Sequence, residues 1–341
     1  MTDAAWADLS DATVTAAVLL YAVAMLALAG EQAARASARS GSRASRRAAA
    51  EAARRATAER TRVMAGAGGP AVPEQPSAPP AAAPESARRS RVGQAGMALV
   101  LLGLIVHGVS VVARGLAVDR VPWGNMYEFS SAVSLSAVAI FVVLVARRVV
   151  DRGLGAFVLL PVLLTLGLAS TVLYTPAGPL VPALNSYWIK IHVAAAVLCT
   201  GAFLLSGVVA GLDLLRDAAD SRMADGRPLR FPLSLGPSLP TARSLDRTTY
   251  TVIAFAFPLW TFAIIAGAIW AEAAWGRYWG WDPKETWSFI TWVLYAGYLH
   301  ARATAGWKGR KAAWVAVAAA VALTVNYYVV NIFVVGLHSY A

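Results

Sequence analysis

Cysteine and charged residues are scarce in this chain, and each scarcity excludes a class of protein. Cys199 is the single cysteine among 341 residues, so no disulfide bond can form within the chain. Neither a CxxC nor a CxxCH motif occurs, which excludes a dithiol oxidoreductase and a c-type cytochrome. Charged residues make up only 14% of the chain, well below the roughly 25% of ordinary soluble domains, so a purely soluble protein is excluded as well.

Long apolar runs make up much of the chain. Hydrophobic residues make up 58% of the chain. They are concentrated in several runs of about 20 residues, the length that crosses roughly 30 Å of hydrocarbon. The runs are continuously apolar instead of alternating, which favours helices over the strands of a barrel. The sequence therefore predicts an all-α polytopic membrane protein.

The apolar runs divide the chain into about eight transmembrane helices. They are predicted at residues 12–30, 95–117, 129–146, 154–173, 188–212, 249–271, 287–304 and 312–335. Every arginine-rich loop then falls on one side, which the positive-inside rule makes the cytoplasmic side. This places both termini outside, in a protein of the plasma membrane embedded in the lipid bilayer. The net charge of +11 is explained by these loops beside anionic lipid, so no nucleic-acid partner is predicted.

Three regions are predicted along the chain. Residues 1–30 form the first transmembrane helix, 31–94 a cytoplasmic linker, and 95–341 a seven-helix core. The linker holds twelve arginines and no lysine. Its first part is rich in Ala, Arg and Glu, a composition typical of a surface helix. Its second part is rich in Pro, Ala and Gly, so the linker is predicted to be a largely disordered tether.

A tryptophan-rich segment at 270–292 lies on the predicted outer side. Its six tryptophans are Trp270, Trp275, Trp279, Trp281, Trp287 and Trp292. Four charged residues lie within nine positions of this segment: Arg277, Asp282, Lys284 and Glu285. This combination suits a large planar ligand that carries acidic groups. Two structural alternatives stay open: an interfacial belt of tryptophans, and capping of the seventh helix by Asp282, Pro283 and Glu285.

Two histidines flank this segment at the outer ends of their helices. His192 opens the fifth helix and His338 follows the eighth. Two neutral imidazoles on opposite faces of an iron porphyrin make a stable axial pair. Arg277 or Lys284 would meet the propionates. The flat indoles of the segment would cover the ring.

The other two histidines lie within predicted membrane helices. His300 is about 20 Å from the outer surface at 1.5 Å per residue, and a titratable group at that depth is a candidate functional residue. It shares a helix face of mostly small residues, which allows close approach of a bulky ligand: Phe289, Val293, Ala296 and Gly297. A hydrogen bond between helices is the structural alternative. His107 lies on a small, polar face of the second helix and is a weaker candidate, with structural burial as its alternative.

The segment WGRYWGWDPKETW resembles the WWD signature of the heme-handling proteins of cytochrome c biogenesis. The fit is to the CcsA/ResC type of system II, also called CcsB in some actinobacteria. Further matches follow in order over most of 95–341: PWGNMYEF, YWIKIHV, YLHAR, GWKGRKAAW and LHSY.

The resemblance implies roles for three of the histidines. His192 in YWIKIHV and His338 in LHSY take the places of the ligands to the outer heme iron. His300 in YLHAR takes the place of an intramembrane ligand, whose partner imidazole comes from a companion protein of the ResB type. His107 has no secure counterpart and is a weak candidate for a local partner of His300. The indoles that the resemblance implies as walls of the heme ring are Trp275, Trp279, Trp281 and Trp287.

The resemblance also implies a function. The protein would bind heme b as its substrate, deliver it to the outer membrane face, and, with the ResB-type partner, support covalent attachment to the CxxCH motif of apocytochrome c. It would thus be a component of a holocytochrome c synthase, or heme lyase, and a thiol-reducing protein of the same pathway is a further expected partner. No catalytic residue is separable from heme binding. Two alternatives stay open: a transporter of another solute, and a quinol redox subunit whose heme b is held by membrane histidines.

Overall fold

The computed structural model describes residues 2–64, 83–179 and 186–338, and within these ranges the chain is helical with no strand. Its helices are α1 Asp3–Met64, α2 Ala83–Ala117, α3 Met126–Ala146, α4 Gly155–Thr171, α5 Tyr187–Ala224, α6 Ala242–Trp275, α7 Pro283–Thr304, α8 Arg310–Thr324 and α9 Val330–Phe333. Short 3-10 turns precede α4 and α6, and a π-helical turn at Val325–Val329 joins α8 to α9. The predicted all-α class is confirmed.

Seven segments of the described chain are long and apolar enough to cross a membrane, which confirms a polytopic membrane protein. They are Asp3–Ser37, Arg91–Ala117, Met126–Ala146, Arg152–Thr171, Tyr187–Ala224, Ala242–Trp275 and Arg310–Phe333. Helix α7 has 22 residues, about 33 Å at 1.5 Å per residue, but Lys284, Glu285, His300 and Arg302 make it more polar than the others. It lies beside α6 and α8 in the bundle. The eighth crossing and the outer position of both termini stay predictions.

The predicted linker differs from the structure at both of its ends. Helix α1 does not end near residue 30 but continues to Met64, and α2 begins at Ala83 instead of residue 95. Residues 44–60 of α1 are the Ala-, Arg- and Glu-rich part for which the sequence favours a surface helix, since these residue types are strong helix formers. The division of the chain at 31–94 into a cytoplasmic, largely disordered linker stays a prediction. The Pro/Ala/Gly-rich residues 65–82 lie outside the described part of the chain.

Small residues let the central helices approach closely. A Cβ atom at Gly201 of α5 would lie 2.6 Å from Oγ of Ser136 in α3, so only glycine fits at this crossing. On the other side of α5, the ring of Phe203 stacks on that of Tyr295 from α7 with 3.8 Å between centroids. Alanines of α8 complete this core. Helix α5 thus lies at the centre of the bundle, and His192 lies in its second turn.

A buried ion-pair cluster fixes the loop between α2 and α3. Glu128 accepts from Nε of Arg114 at 3.1 Å and from a guanidinium nitrogen of Arg120 at 2.7 Å. The same carboxylate accepts the backbone N–H of Gly124 at 2.8 Å. Because charge-assisted hydrogen bonds are strong and directional, they hold the segment Trp123–Met126 in place at the start of α3.

Candidate functional site

A cavity of about 200 Å³ lies at the end of the bundle where α5 and α7 begin and α6 ends. It is enclosed by the start of α3, by α5 and α6, by the first turns of α7, and by the π-helical turn with α9. Its polar and aromatic lining includes Trp123, Phe129, His192, Trp260, Trp270, Tyr278, Trp279, Lys284, Asn326, Tyr327, Asn331 and His338. The two histidines predicted to act as a pair therefore line the same cavity, although they come from distant parts of the chain.

His192 is held by the backbone of α6. Its Nδ1 lies 2.7 Å from the carbonyl oxygen of Ala263, so Nδ1 carries the proton and donates to that carbonyl. This tautomer leaves the lone pair on Nε2. The close approach requires glycine at position 267, where a Cβ atom would lie 2.7 Å from Nδ1 of His192.

His338 is held by a carboxylate in the same way. Its Nδ1 lies 2.9 Å from Oδ2 of Asp282, and the edges of Trp270 and Trp275 cover its ring at centroid distances of 5.9 and 4.9 Å. Burial lowers the pKa of His338 below its ordinary value, and the hydrogen bond to Asp282 opposes this only in part. The ring is therefore neutral near pH 7, with its proton on Nδ1 and its lone pair on Nε2. Carboxylate–imidazole pairs of this kind orient metal-binding histidines.

Asp282 has two roles, so the capping and the ligand-site interpretations both apply to it. Its carboxylate caps α7 by accepting from the Lys284 amide at 3.2 Å, while Glu285 reaches back to the Asp282 amide at 3.0 Å. Burial alone would raise the pKa of the Asp282 carboxyl, but hydrogen bonds from the Leu337 amide and from His338 outweigh it, and the pKa lies below its ordinary value. Asp282 is therefore an anion that orients His338.

Lys284 is the basic residue of the cavity. Its Nζ donates to Oδ1 of Asn331 at 2.5 Å and lies 5.7 Å from the ring centroid of Tyr327. Burial lowers the pKa of Lys284 to about 7, and the attraction of Asp282 opposes this only in part. The ammonium form is therefore poorly solvated, and an anion in the cavity would stabilise it.

The π-helical turn determines which polar groups of the last helix face the cavity. Asn326 and Asn331 both line it, although residues five apart on a regular α-helix point about 140° away from each other. The i to i+5 hydrogen bond of a π-turn brings them to one side. Tyr327 fixes the turn to α3, because its hydroxyl bonds Oγ of Ser130 at 2.7 Å and the carbonyl of Met126 at 2.9 Å.

The predicted tryptophans divide between the cavity and the outer surface. Trp279 lines the cavity, and Trp275 packs behind His338. Trp281 is 64% exposed and has a positive φ of 57° just before α7. Trp287 is partly buried but does not line the cavity. The further indoles of the cavity, which the sequence did not single out for this role, are Trp123, Trp260 and Trp270.

Arg277 does not reach the cavity. Its side chain is exposed and lies over Gly280, where a Cβ atom would come within 2.1 Å of the guanidinium carbon. Of the two residues predicted to meet acidic groups of a ligand, the structure therefore brings only Lys284 to the histidines.

The two membrane histidines lie outside this site. His300 is exposed on the outward face of α7 together with Phe289 and Val293, so this face points away from the bundle and not into it. His107 is fully buried, with Nε2 at 3.0 Å from Oγ of Ser131 and Nδ1 at 3.4 Å from the hydroxyl of Tyr21. Both of its nitrogens are thus engaged between α1 and α3, which supports the structural role of His107.

Comparison with known proteins gives one consistent result. The family model described as "Cytochrome C assembly protein" matches residues 123–338. The "Cytochrome c biogenesis protein CcsA" of Gloeobacter violaceus is 36% identical over 297 residues, which covers 73% of this chain and 86% of the relative. That of Prochlorococcus marinus is 35% identical over 263 residues, with 71% and 82% covered.

A solved structure shares the fold. The chain superposes on "Cytochrome c Heme Lyase CcmF" with a TM-score of 0.55 at 17% identity. The match covers 96% of this chain and 47% of that one, so this chain spans about half the length of the larger protein.

Proposed function

Because the chain belongs to the cytochrome c assembly family, and within it to the CcsA proteins, we propose that it binds heme at the outer membrane face for attachment to apocytochrome c. Family membership gives a role in cytochrome c maturation. The outer position of the site rests on the charge distribution of the loops. Heme is the substrate here, and the chain supplies its ligands and its orientation.

The arrangement of His192 and His338 is the observation that carries this proposal. Each ring donates its Nδ1 proton to a fixed acceptor, the Ala263 carbonyl or the Asp282 carboxylate, and each keeps its Nε2 lone pair. Both line one cavity with flat aromatic walls. Two neutral imidazoles so oriented fit the axial positions of an iron porphyrin.

The attachment itself needs proximity more than acid or base groups. The CxxCH segment of apocytochrome c would dock at the outer mouth of the cavity, where Tyr278 is 62% exposed. Each thiol adds its S–H across one vinyl double bond, so sulfur bonds to one carbon, hydrogen goes to the other, and no external oxidant or reductant is consumed. The histidine of the CxxCH motif then replaces one of the two protein imidazoles, and the product leaves. The chain contributes by holding the reacting groups close together.

The outward face of α7 is the proposed contact with a ResB-type partner. Phe289, Val293, Gly297 and His300 are exposed along this face. A partner helix against it would bury the apolar residues and supply the second imidazole for His300, as the family resemblance implies. The two histidines that a quinol redox subunit would use do not form a pair here, because His107 is engaged by Ser131 and Tyr21.

One set of purifications tests the proposal. The protein is expressed with its ResB-type partner, and heme is measured by pyridine hemochrome and by the Soret band. We expect His192→Ala and His338→Ala each to abolish low-spin heme at the outer site, while His107→Ala keeps it. A wild-type protein that has no Soret band and does not bind added heme would refute the proposal in favour of another solute. Loss of the spectrum in His107→Ala alone would favour the redox subunit.

A further inference from the structure

We propose that Asp213 is a proton-binding site at the end of the bundle opposite the cavity, and that its proton keeps Arg302 bonded to Asp246. Asp213 lies on α5 about 32 Å from His192, at 1.5 Å per residue, so this site is separate from the cavity. The site does not depend on heme binding.

Asp213 is a buried carboxylate without a partner. It is 2% exposed, and neither of its carboxylate oxygens has a hydrogen-bond partner within the described part of the chain. Ala210, one turn earlier, belongs to the core that α5 shares with α6, α7 and α8. An ionised carboxylate in such surroundings is costly, because neither water nor a counter-charge stabilises it. Taking up a proton removes the charge.

The other buried carboxylates of the described chain have partners. Glu31 and Glu128 are also 2% exposed, and each forms ion pairs with guanidinium groups. Asp282 and Glu285 accept hydrogen bonds from backbone amides. Among the described residues, Asp213 is therefore the buried carboxylate that has neither an ion pair nor a hydrogen bond.

Neighbouring cations are already bonded to other groups. Arg302 of α7 interacts electrostatically with Asp213, but its guanidinium donates two hydrogen bonds to the carboxylate of Asp246, at 2.5 and 3.1 Å. Arg216, one turn further along α5, donates to the carboxylate of Asp220 at 2.8 Å. Neither guanidinium bonds Asp213, so within the described chain a proton is the group left to neutralise it.

The remaining charged groups around Asp213 do not stabilise its ionised form. Asp217, one turn along α5, and Asp246 of α6 both interact electrostatically with it, and like charges repel. Arg310 and Lys311 at the start of α8 are exposed, so water solvates their charges. The surroundings of Asp213 therefore favour the neutral acid.

The proton determines which carboxylate Arg302 bonds. While Asp213 is neutral, Arg302 is held by Asp246 and lies over the ring of Tyr298, with its guanidinium carbon 5.5 Å from the centroid. Asp246 also accepts the amide of Gly309 at 3.0 Å, so this pair joins α6, α7 and the turn before α8. An ionised Asp213 would compete with Asp246 for the same guanidinium and loosen this joint.

Infrared spectroscopy of the purified full-length protein tests the protonation state directly, because a protonated carboxyl has a C=O stretching band that a carboxylate lacks. The spectrum of Asp213→Asn is subtracted from that of the wild type between about pH 5 and 9. We expect an acid band at pH 7, where less than about 0.1% of an ordinary aspartate is protonated. The band should disappear on the alkaline side as the carboxyl ionises.

Glu31→Gln is the matched control. Glu31 is as buried as Asp213, but Arg35 and Arg152 each donate to its Oε1 at 2.9 Å, so its subtraction should show no acid band at pH 7. The absence of an acid band from the Asp213 subtraction at pH 7 would overturn the proposal. A band that appears only after sodium and potassium are replaced by a large organic cation would also overturn it, since a metal cation would then be the ligand.

Thermal unfolding gives a second test of the bound proton. The folded protein holds a proton at Asp213 that the unfolded chain releases at neutral pH, so a rising pH favours unfolding of the wild type. Asp213→Asn keeps the shape of the side chain and cannot ionise. We expect the unfolding midpoint of the wild type to fall relative to that of Asp213→Asn by a few °C for each pH unit above about 5, and to level off where the acid band disappears. A difference that stays constant over the whole range would show that Asp213 holds no proton.

Hydrogen exchange tests the joint. At a pH where the acid band has disappeared, the amide of Gly309 should exchange faster in the wild type than in Asp213→Asn. At about pH 6 the two rates should be equal. Equal rates at both pH values would show that Asp246 keeps Arg302 whatever the state of Asp213.

Discussion

Asp282 and His338 form a hydrogen bond of 2.9 Å between the first turn of α7 and the segment beyond α9. The same carboxylate accepts from the Leu337 amide at 2.7 Å and caps α7. One side chain therefore connects the tryptophan-rich segment to the second imidazole of the site. Its position at a helix N-terminus also favours the anionic form.

Asp282→Asn separates the charge of this residue from its capping role. Asparagine is as good an N-cap as aspartate, so α7 should stay folded. The amide is a weaker acceptor for the His338 ring, and loss of a metal-supporting carboxylate typically costs 10- to 100-fold in affinity. We therefore expect heme affinity, measured by Soret titration, to fall by about that factor. Glu285→Gln, which changes the capping box without touching His338, should have a much smaller effect; equal losses in the two variants would contradict a specific role of Asp282.

Gly267→Ala should displace His192. The added methyl group would lie 2.7 Å from Nδ1, well inside van der Waals contact, so the ring must leave the Ala263 carbonyl. We expect the low-spin spectrum of bound heme to change to that of a five-coordinate iron or to disappear. Gly167→Ala in α4 is the control, since a Cβ atom there meets nothing within 4 Å and alanine favours the helix by roughly 1 kcal/mol. An unchanged spectrum in Gly267→Ala would place His192 elsewhere.

Heme affinity should depend on pH on both sides of neutrality. Since burial lowers the pKa of Lys284 to about 7, the amine of the free protein is mostly neutral above that pH, and binding a carboxylate must take up a proton. Affinity for heme with free propionates should therefore fall as pH rises from about 7 to 9. Affinity for heme dimethyl ester, in which both propionates are methylated, should stay flat over the same range. On the acid side, protonation of Nε2 of His338 competes with iron, and both porphyrins should weaken together. Parallel curves for the two porphyrins above pH 7 would exclude Lys284 as the titrating group.

Trp281→Ala should separate heme binding from heme attachment. The indole is exposed and contacts Trp279 and Phe289 on the outer surface, at centroid distances of 5.8 and 6.0 Å. We expect heme affinity within about twofold of wild type, because the side chain does not line the cavity. The yield of holocytochrome in cells that carry the ResB-type partner should fall, since an exposed aromatic group beside the mouth would contact the arriving chain. Trp279→Ala, by contrast, should lower heme affinity itself.

The features that follow from composition and charge could be predicted from the sequence. Long apolar runs predicted the helices, and their order predicted that His192 and His338 belong to one end of the bundle. The capping signal of Asp282 and Glu285 could also be predicted, because it depends only on residue types three positions apart. The sequence does not show which tryptophans line the cavity and which lie on the surface, because all of them have the same side chain.

The missing information lies in backbone geometry and in burial. Trp281 has a positive φ, a backbone conformation that is uncommon for residues other than glycine. A tryptophan in the sequence gives no indication of this conformation. No sequence pattern indicates the π-turn that brings Asn326 and Asn331 together. The two asparagines themselves are a usable signal, because polar residues in an apolar membrane helix are candidate functional residues. The outward position of His300 depends on which neighbours α7 has, and a helix with apolar residues on several faces does not reveal that.

The site is split between two distant stretches of one chain, and this has a consequence for biosynthesis. A nascent polypeptide that has inserted only through α7 already exposes His192 and most of the aromatic walls, but it has no second imidazole. An iron porphyrin that enters at that stage can be held from one side only and can leave again. If the chain binds heme as proposed, loading would become secure only after the segment following α9 has bonded to Asp282, and a bound macrocycle would then report that insertion into the bilayer is finished.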